Sequence, residues 1–433
     1  MAANPKQELS LFDATCIIVG IIIGAGIYET APTVAHCMGS AVGVLAIWLL
    51  GGGLALAGAL CYAELATSLP QSGGDYVYLS RAYGPWAGFL FGWSQLAVVR
   101  PGDIALMAFI FARYAQSLWP SAGLEQSFYA SAAVLLLSLM NLLGVAAGKW
   151  TQNILTGAKV LGMLVIIFVG FSAPAPLAAE KVVLPSWGGL DLALILVMFT
   201  FGGWNEMAYV AAEIKNPRRN IVRGLVAGTV TVTLLYLLMN GAFLTALGFG
   251  PMATSQAVAV DTVARVFPET AARAIAVLIC LSALGAVNGL ILTGARISYA
   301  LGTEHPAFRR LGIWHPRLNT PAWSLLLQGA ICLAIILLAG SFLDTIIYTA
   351  PIVWLFFLGT GLAVFILRRR EPGLERPYRS HGFPFPPLIF CLCALFMFSS
   401  SVTYALAKVP WGLILSAAVL ASGALVYYLT ERD

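Results

Sequence analysis

Apolar runs of bilayer length recur along this chain from end to end, and no polar stretch between them is long enough to fold as a soluble domain. A helix needs roughly 20 apolar residues to cross a hydrocarbon core, where each backbone amide and carbonyl must be satisfied internally. About twelve runs qualify, near 14–36, 41–67, 83–114, 127–145, 150–172, 189–213, 221–248, 271–301, 322–339, 342–367, 386–406 and 409–430. Only 10% of the 433 residues are charged, well below the roughly 25% of a soluble domain. The expectation is an all-α polytopic membrane protein, a single transmembrane domain over 1–433 with the lipid bilayer around it. The first run lacks a small-residue cleavage site and exceeds a signal-peptide core, so it reads as a retained helix.

The formal charge of +5 is distributed by side. With the N-terminus in the cytoplasm, that face receives Lys6, Arg81, Lys149, the cluster Lys215, Arg218, Arg219 and Arg223, then Arg296, Arg309, Arg310 and Arg317. It also takes the basic, proline-rich loop from Arg368 to Arg379, and Arg432. The other face keeps only Arg113, Lys181, Arg265, Arg273 and Lys408. This is the positive-inside pattern of a cell (inner) membrane protein with both termini cytoplasmic, and it gives no ground for a nucleic-acid partner. The seven cysteines (Cys16, Cys37, Cys61, Cys280, Cys332, Cys391 and Cys393) have neither zinc-ligand nor disulfide-framework spacing. His36, His305, His315 and His381 fall in loops or near span ends. No metal site, cofactor motif or nucleophile–base set can be assembled, so an enzyme is not expected. The outer loop Gly250 to Thr270 holds an apolar stretch, Ala257 to Phe267, expected to lie as a short helix over a vestibule.

Two spans carry interruptions. The first reads GIIIGAGIYET from Gly20 to Thr30, with Gly24-Ala25-Gly26 at its middle. Glycine costs about 1 kcal/mol relative to alanine inside a helix, and an opened helix at that depth is tolerated only where its backbone lines a cavity or meets a ligand. Close helix packing through Gly20 and Gly24 is the competing reading of this stretch alone. The sixth span then breaks at Gly202-Gly203, followed by Trp204, Asn205 and Glu206. Interrupted helices at corresponding places in two halves point to a transporter site. Five spans separate them, so the halves are inverted: a first repeat near 9–172, a second near 186–367, and helices 11 and 12 near 386–430 outside. Helix N-termini favour anions and C-termini cations, so such a pair of breaks suits a zwitterionic α-amino acid.

The motifs ALCYAELATSLPQSGGDYVYLSRAYGP (Ala59 to Pro85), VVRPGDIALMAFIFARY, FGGWNEMAYVAAEIKNPRRN and VNGLILTGARISYALG, with GIIIGAGIY, make the chain similar to the amino acid–polyamine–organocation (APC) superfamily. It most resembles the L-type amino acid transporter branch, including bacterial serine/threonine-exchanger-like members, from about Leu9 to Arg379. The resemblance implies a five-plus-five inverted repeat of LeuT type and sodium-independent amino acid transport. It implies that the substrate carboxylate meets the amides of Gly24, Ala25 and Gly26, with Ile27 beside them. The ammonium would meet carbonyls of Ile22, Phe199 and Gly202, next to Gly203. Asn205 matches a position governing binding and gating, and Phe201 and Trp204 would wall or gate the pocket. Lys159 in span five would bridge to the first break, whereas the residues alone also permit a lysine snorkelling to the cytoplasmic face.

Two departures stand out. The loop Leu118 to Ser127 contains no cysteine, which excludes the disulfide-linked heavy chain of animal L-type transporters. Tyr28-Glu29 and Glu206 place carboxyl groups near both breaks, against strict neutral selectivity. Arg100 and Asp103 sit mid-span in helix three, able to pair with each other or with Glu206, and Arg100 could instead line the pathway. Glu64 and Asp75 read as an inner gate network. Exchange or facilitated transport of neutral L-amino acids by alternating access is the first reading. A proton-coupled symporter of broader or cationic selectivity, and a non-transporting amino acid sensor, stay open.

Overall fold

A computed structural model describes residues 5–119, 125–174, 187–338, 342–408 and 410–430. Lys181, Arg432 and the middle of the Leu118 to Ser127 loop lie outside them. Among the described residues eight helices are long and apolar enough to cross a membrane, and a bent pair, Leu11–Ile22 (α1) with Gly26–Met38 (α2), makes a ninth. Three shorter apolar helices, Gln126–Leu142, Gly189–Thr200 and Ala322–Leu338, take the places of spans four, six and nine. Each of the twelve expected runs is therefore helical.

In chain order the remaining helices are α3 Ala41–Ser68, α4 Asp75–Tyr83, α5 Pro85–Ser94, α6 Arg100–Leu118, α7 Gln126–Leu142, α8 Val145–Ser172 and α9 Trp187–Thr200. After a 3-10 segment at Glu206–Glu213 come α10 Pro217–Leu247, α11 Phe249–Thr254, α12 Val258–Ala264, α13 Ala271–Glu304, α14 Ala322–Leu338, α15 Phe342–Arg370, α16 Phe385–Lys408 and α17 Pro410–Thr430. The stretch Ala257 to Phe267 forms one short helix, α12, and a second short helix, α11, precedes it.

Local sequence explains the ends and bends. Ser10 caps α1: its hydroxyl accepts the Asp13 amide at 3.2 Å while the Asp13 carboxylate accepts the Ser10 amide at 2.8 Å. Asn153 and Lys149 of α8 donate to the same carboxylate, tying α1 to α8. In span three, Gln95–Val99 forms a π-helical turn and the Arg100 amide bonds back to Gln95. Pro101 follows it, and a proline ring clashes with the carbonyl four residues back, so the wider turn absorbs the fault without breaking the span.

The most enclosed span is α13, with 83% of its central window buried. It runs through the middle of the bundle against α1, α6, α7 and α8. Leucines and phenylalanines on α7 and α8, such as Leu135, Leu136, Leu161 and Phe168, face outward, as lipid-facing surfaces must.

Candidate functional site

The first break spans Ile23 to Ala25, and its two helices meet at 51°. The Ala25 carbonyl takes the Tyr28 and Glu29 amides. The amides of Ala25, Gly26 and Ile27 donate to no described carbonyl or side chain, as expected for a helix start. The carbonyls just before are claimed from elsewhere. Ile22 accepts from the Gly24 amide at 2.8 Å and from the Tyr236 hydroxyl at 2.9 Å. Ile23 accepts from Lys159 Nζ at 2.8 Å and from Ser282 Oγ at 2.9 Å.

Lys159 is fully buried, which rules out snorkelling. Its ammonium donates to Gly20, Ile23 and Ser282 carbonyls at 2.7, 2.8 and 2.8 Å. It therefore joins α8, the end of α1 where the first break begins, and α13 through one charge.

The second break follows Thr200. Gly203 has φ 106°, and a Cβ there would come 2.6 Å from Ile21 Cγ2. A Cβ on Gly26 would stand 3.2 Å from the Thr200 side chain. Each break thus packs a glycine backbone against a side chain of the other's span, and only glycine fits at Gly203. Tyr236 completes the join: its hydroxyl lies 2.9 Å from the Ile22 carbonyl and 3.2 Å from that of Thr200, sharing one proton between both breaks.

Open space lies beside this junction. A Cβ on Gly24 would meet only Met107 Sδ, at 3.8 Å, and Gly202 is exposed. The Phe199 carbonyl accepts the Gly202 amide at 3.0 Å, and its ring is 40% exposed. Phe201 is buried, 5.2 Å from Tyr236 and 6.1 Å from Trp48 by ring centroids, so it buttresses the break from behind. Trp204 lies in a ring cluster with Tyr62, Phe357 and Phe390 at 5.0, 5.6 and 5.3 Å. The Tyr28 hydroxyl is buried without a partner.

The acidic residues separate. Glu29, in the first turn of α2, pairs with Arg113 of α6, and both side chains are partly exposed. Glu206 pairs with Arg100 at 2.9 Å, both buried, and the guanidinium stacks 5.3 Å from the Tyr209 ring. Of the pairings open to Arg100, the one with Glu206 is therefore made.

Toward the end of the bundle bearing the N-terminus, polar groups are fully knotted. Asp75 is buried and accepts from Tyr62, from Thr360 at 2.5 Å and from Tyr209 at 2.7 Å. Asn205 donates to the Tyr209 hydroxyl at 3.0 Å, which links the second break to that knot. Glu213 and Arg296 form a buried bidentate pair at 2.7 and 2.8 Å, and Glu64 holds Arg368 at 2.6 and 2.7 Å. Sequence reasoning did not single out Tyr236, Ser282, Tyr62 or Tyr209. A lone tyrosine inside TVTLLYLLMNG, in the middle of α10, was the available signal, because a buried hydroxyl usually needs a partner.

An apolar groove of about 450 Å³ lies between α7 and α14, lined by Leu135, Leu139, Leu326 and Leu333. It has almost no polar lining and lies away from both breaks, so it offers nothing to a zwitterion.

Comparison with known proteins adds its own findings. A family model described as amino acid permease matches residues 9–424. The chain is 32% identical to the b(0,+)-type amino acid transporter 1 of Mus musculus, covering 98% of this chain and 88% of that protein. It is 34% identical to the Asc-type amino acid transporter 1 of Mus musculus over 86% of this chain and 73% of that one. It is 30% identical to the human large neutral amino acids transporter small subunit 2, over 98% and 80% respectively.

Proposed function

Because this chain belongs to the amino acid permease family, we propose that the junction of its two broken helices binds an α-amino acid and carries it by sodium-independent exchange. One observation supports this above the rest: the amides of Ala25, Gly26 and Ile27 have no described partner, and Gly26 lies against Thr200, two residues before the exposed Gly202 of the second break. Those amides suit a carboxylate. The end of α9 at Thr200, with the Gly202 turn after it, suits an ammonium. Asn205 reports occupancy to the Asp75 knot through Tyr209.

Lys159 supports the sodium-independent part. Three carbonyl oxygens converging within 2.8 Å make a monovalent-cation cage, and a lysine ammonium already fills it.

The repeats run near 9–172 and 186–367, with helices 11 and 12 outside. The termini and the basic loops face the cytoplasm of a cell membrane. The polar knot then closes the cytoplasmic side while Gly202 is reached from outside, the outward-facing half of an alternating-access cycle. With no cysteine in the Leu118 to Ser127 loop, the chain works without a disulfide-linked heavy chain.

Purified protein in liposomes tests the reading. Labelled alanine should enter vesicles preloaded with unlabelled amino acid several-fold faster than empty ones, equally in sodium and in choline buffer. Binding without flux would identify a sensor instead, and dependence on sodium would remove the role given to Lys159.

A further inference from the structure

Helix α6 runs past both breaks and presents one stripe to them. Arg100, Asp103 and Met107 are spaced three and four apart and so share a face. Met107 is the side chain nearest Gly24. Arg100 grips Glu206, the residue after Asn205. Asp103 lies between them, partly exposed, and among the described residues it accepts no hydrogen bond and joins no ion pair. The charges acting on it are Arg100 and Glu206.

The neighbouring pair is itself incomplete. Arg100 and Glu206 side chains are only 4% and 8% exposed. Even so, Arg100 Nε and Glu206 Oε2 have no partner. Buried polar atoms are nearly always satisfied, and an unsatisfied one costs about 1–3 kcal/mol. Two carboxylates and one guanidinium also leave this patch with an excess negative charge, expensive at mid-membrane depth. A group that brings one positive charge and several N–H donors would give Glu206 Oε2 its missing donor and offset the excess charge, while Arg100 Nε–H, itself a donor, still needs an acceptor.

Resting on the amino acid transport reading above, we propose that Asp103, with the Arg100–Glu206 pair behind it, is the subsite that reads the substrate side chain, and that it takes amino acids with a cationic side chain. Length supports this. Asp103 stands four residues from Met107, about 6 Å along the helix axis. A four-methylene side chain ending in an ammonium also reaches about 6 Å from its Cα by standard bond lengths. With its α-groups on the breaks beside Gly24, such a substrate places its terminal nitrogen at the Asp103 carboxylate. A short neutral substrate leaves the carboxylate to water, so it binds through the α-groups alone.

The test compares labelled lysine with labelled alanine in the same preloaded proteoliposomes. The unaltered protein should carry both, with lysine at the lower KM. In Asp103→Asn the lysine KM should rise about tenfold to a hundredfold relative to that for alanine, the value of one charge-assisted hydrogen bond. Asp103→Glu, which keeps the charge, should restore most of the preference. Should Asp103→Asn carry nothing, lysine- and alanine-dependent thermal stabilisation in detergent reads the same ratio. Alanine flux with lysine excluded, or a lysine-to-alanine ratio unmoved in Asp103→Asn, overturns the subsite while leaving amino acid transport standing. Absence of all flux in the unaltered protein overturns the transport reading itself.

Discussion

At the break in span one, the carbonyls of Gly20, Ile22 and Ile23 are claimed by Lys159 from α8, Tyr236 from α10 and Ser282 from α13. At the break in span six, the chain is held mainly by rings: Phe201 against Trp48 and Tyr236, and Trp204 against Tyr62, Phe357 and Phe390. Hydrogen bonds from a charged donor are directional and fix position. Ring packing is non-directional, so it tolerates sliding at small cost. In the binding site proposed above, the first break is accordingly the fixed side and the second the part able to respond when a substrate arrives.

Removing the cation from the fixed side is the severest test of that contrast. Lys159→Ala takes the ammonium from three buried carbonyls; Ile23 keeps the Ser282 hydroxyl and Ser282 lies within α13, so the main cost, about 1–3 kcal/mol, falls on the Gly20 carbonyl. Exchange should fall at least a hundredfold, and the thermal midpoint in detergent should drop by several degrees. Comparable exchange in the variant would show that the first break holds its shape without the ammonium. Tyr236→Phe takes away the single proton shared by both breaks, so the loss is about tenfold in exchange rate. A drop as deep as that of Lys159→Ala would mean that Tyr236, not the lysine, sets the junction. Glu29→Gln touches only the exposed pair with Arg113, half-exposed on its basic side. Such pairs are worth about 0–1 kcal/mol and weaken with salt. Its exchange rate should stay within about threefold of the unaltered protein, and raising salt should shrink the difference.

Both interruptions were legible because glycine in mid-span is costly enough to need a reason. Lys159 was legible for the same cause, a charge too deep to be accidental. The fold class followed from twelve runs of bilayer length. What stayed hidden depends on partners far apart in sequence. The choice of Arg100 for Glu206 joins residues 106 apart, and the Asp75–Thr360 bond joins residues 285 apart; no local pattern selects either. Glu29 and Glu206 looked equivalent in sequence, each close to a glycine break. They differ in what faces them: Glu29, in the first turn of α2, turns its side chain to the partly exposed Arg113, whereas the tight 3-10 turn after Asn205 holds Glu206 buried against Arg100. Phe201 was expected to wall or gate the pocket, and its buried ring packs between Trp48 of α3 and Tyr236 of α10.

The short backbone pairing before α1 has a mechanical meaning. The Leu9 amide bonds the Glu213 carbonyl at 2.9 Å, and the Lys215 amide bonds the Leu9 carbonyl at 2.8 Å. These two bonds latch the root of one broken helix to the root of the other, at the end of the bundle where the knot lies. A latch of that kind leaves two ways to open that end: tear both bonds, or swing the two roots as one lever. The second costs less, so release toward that side is a single stroke, and neither broken helix is free to open alone.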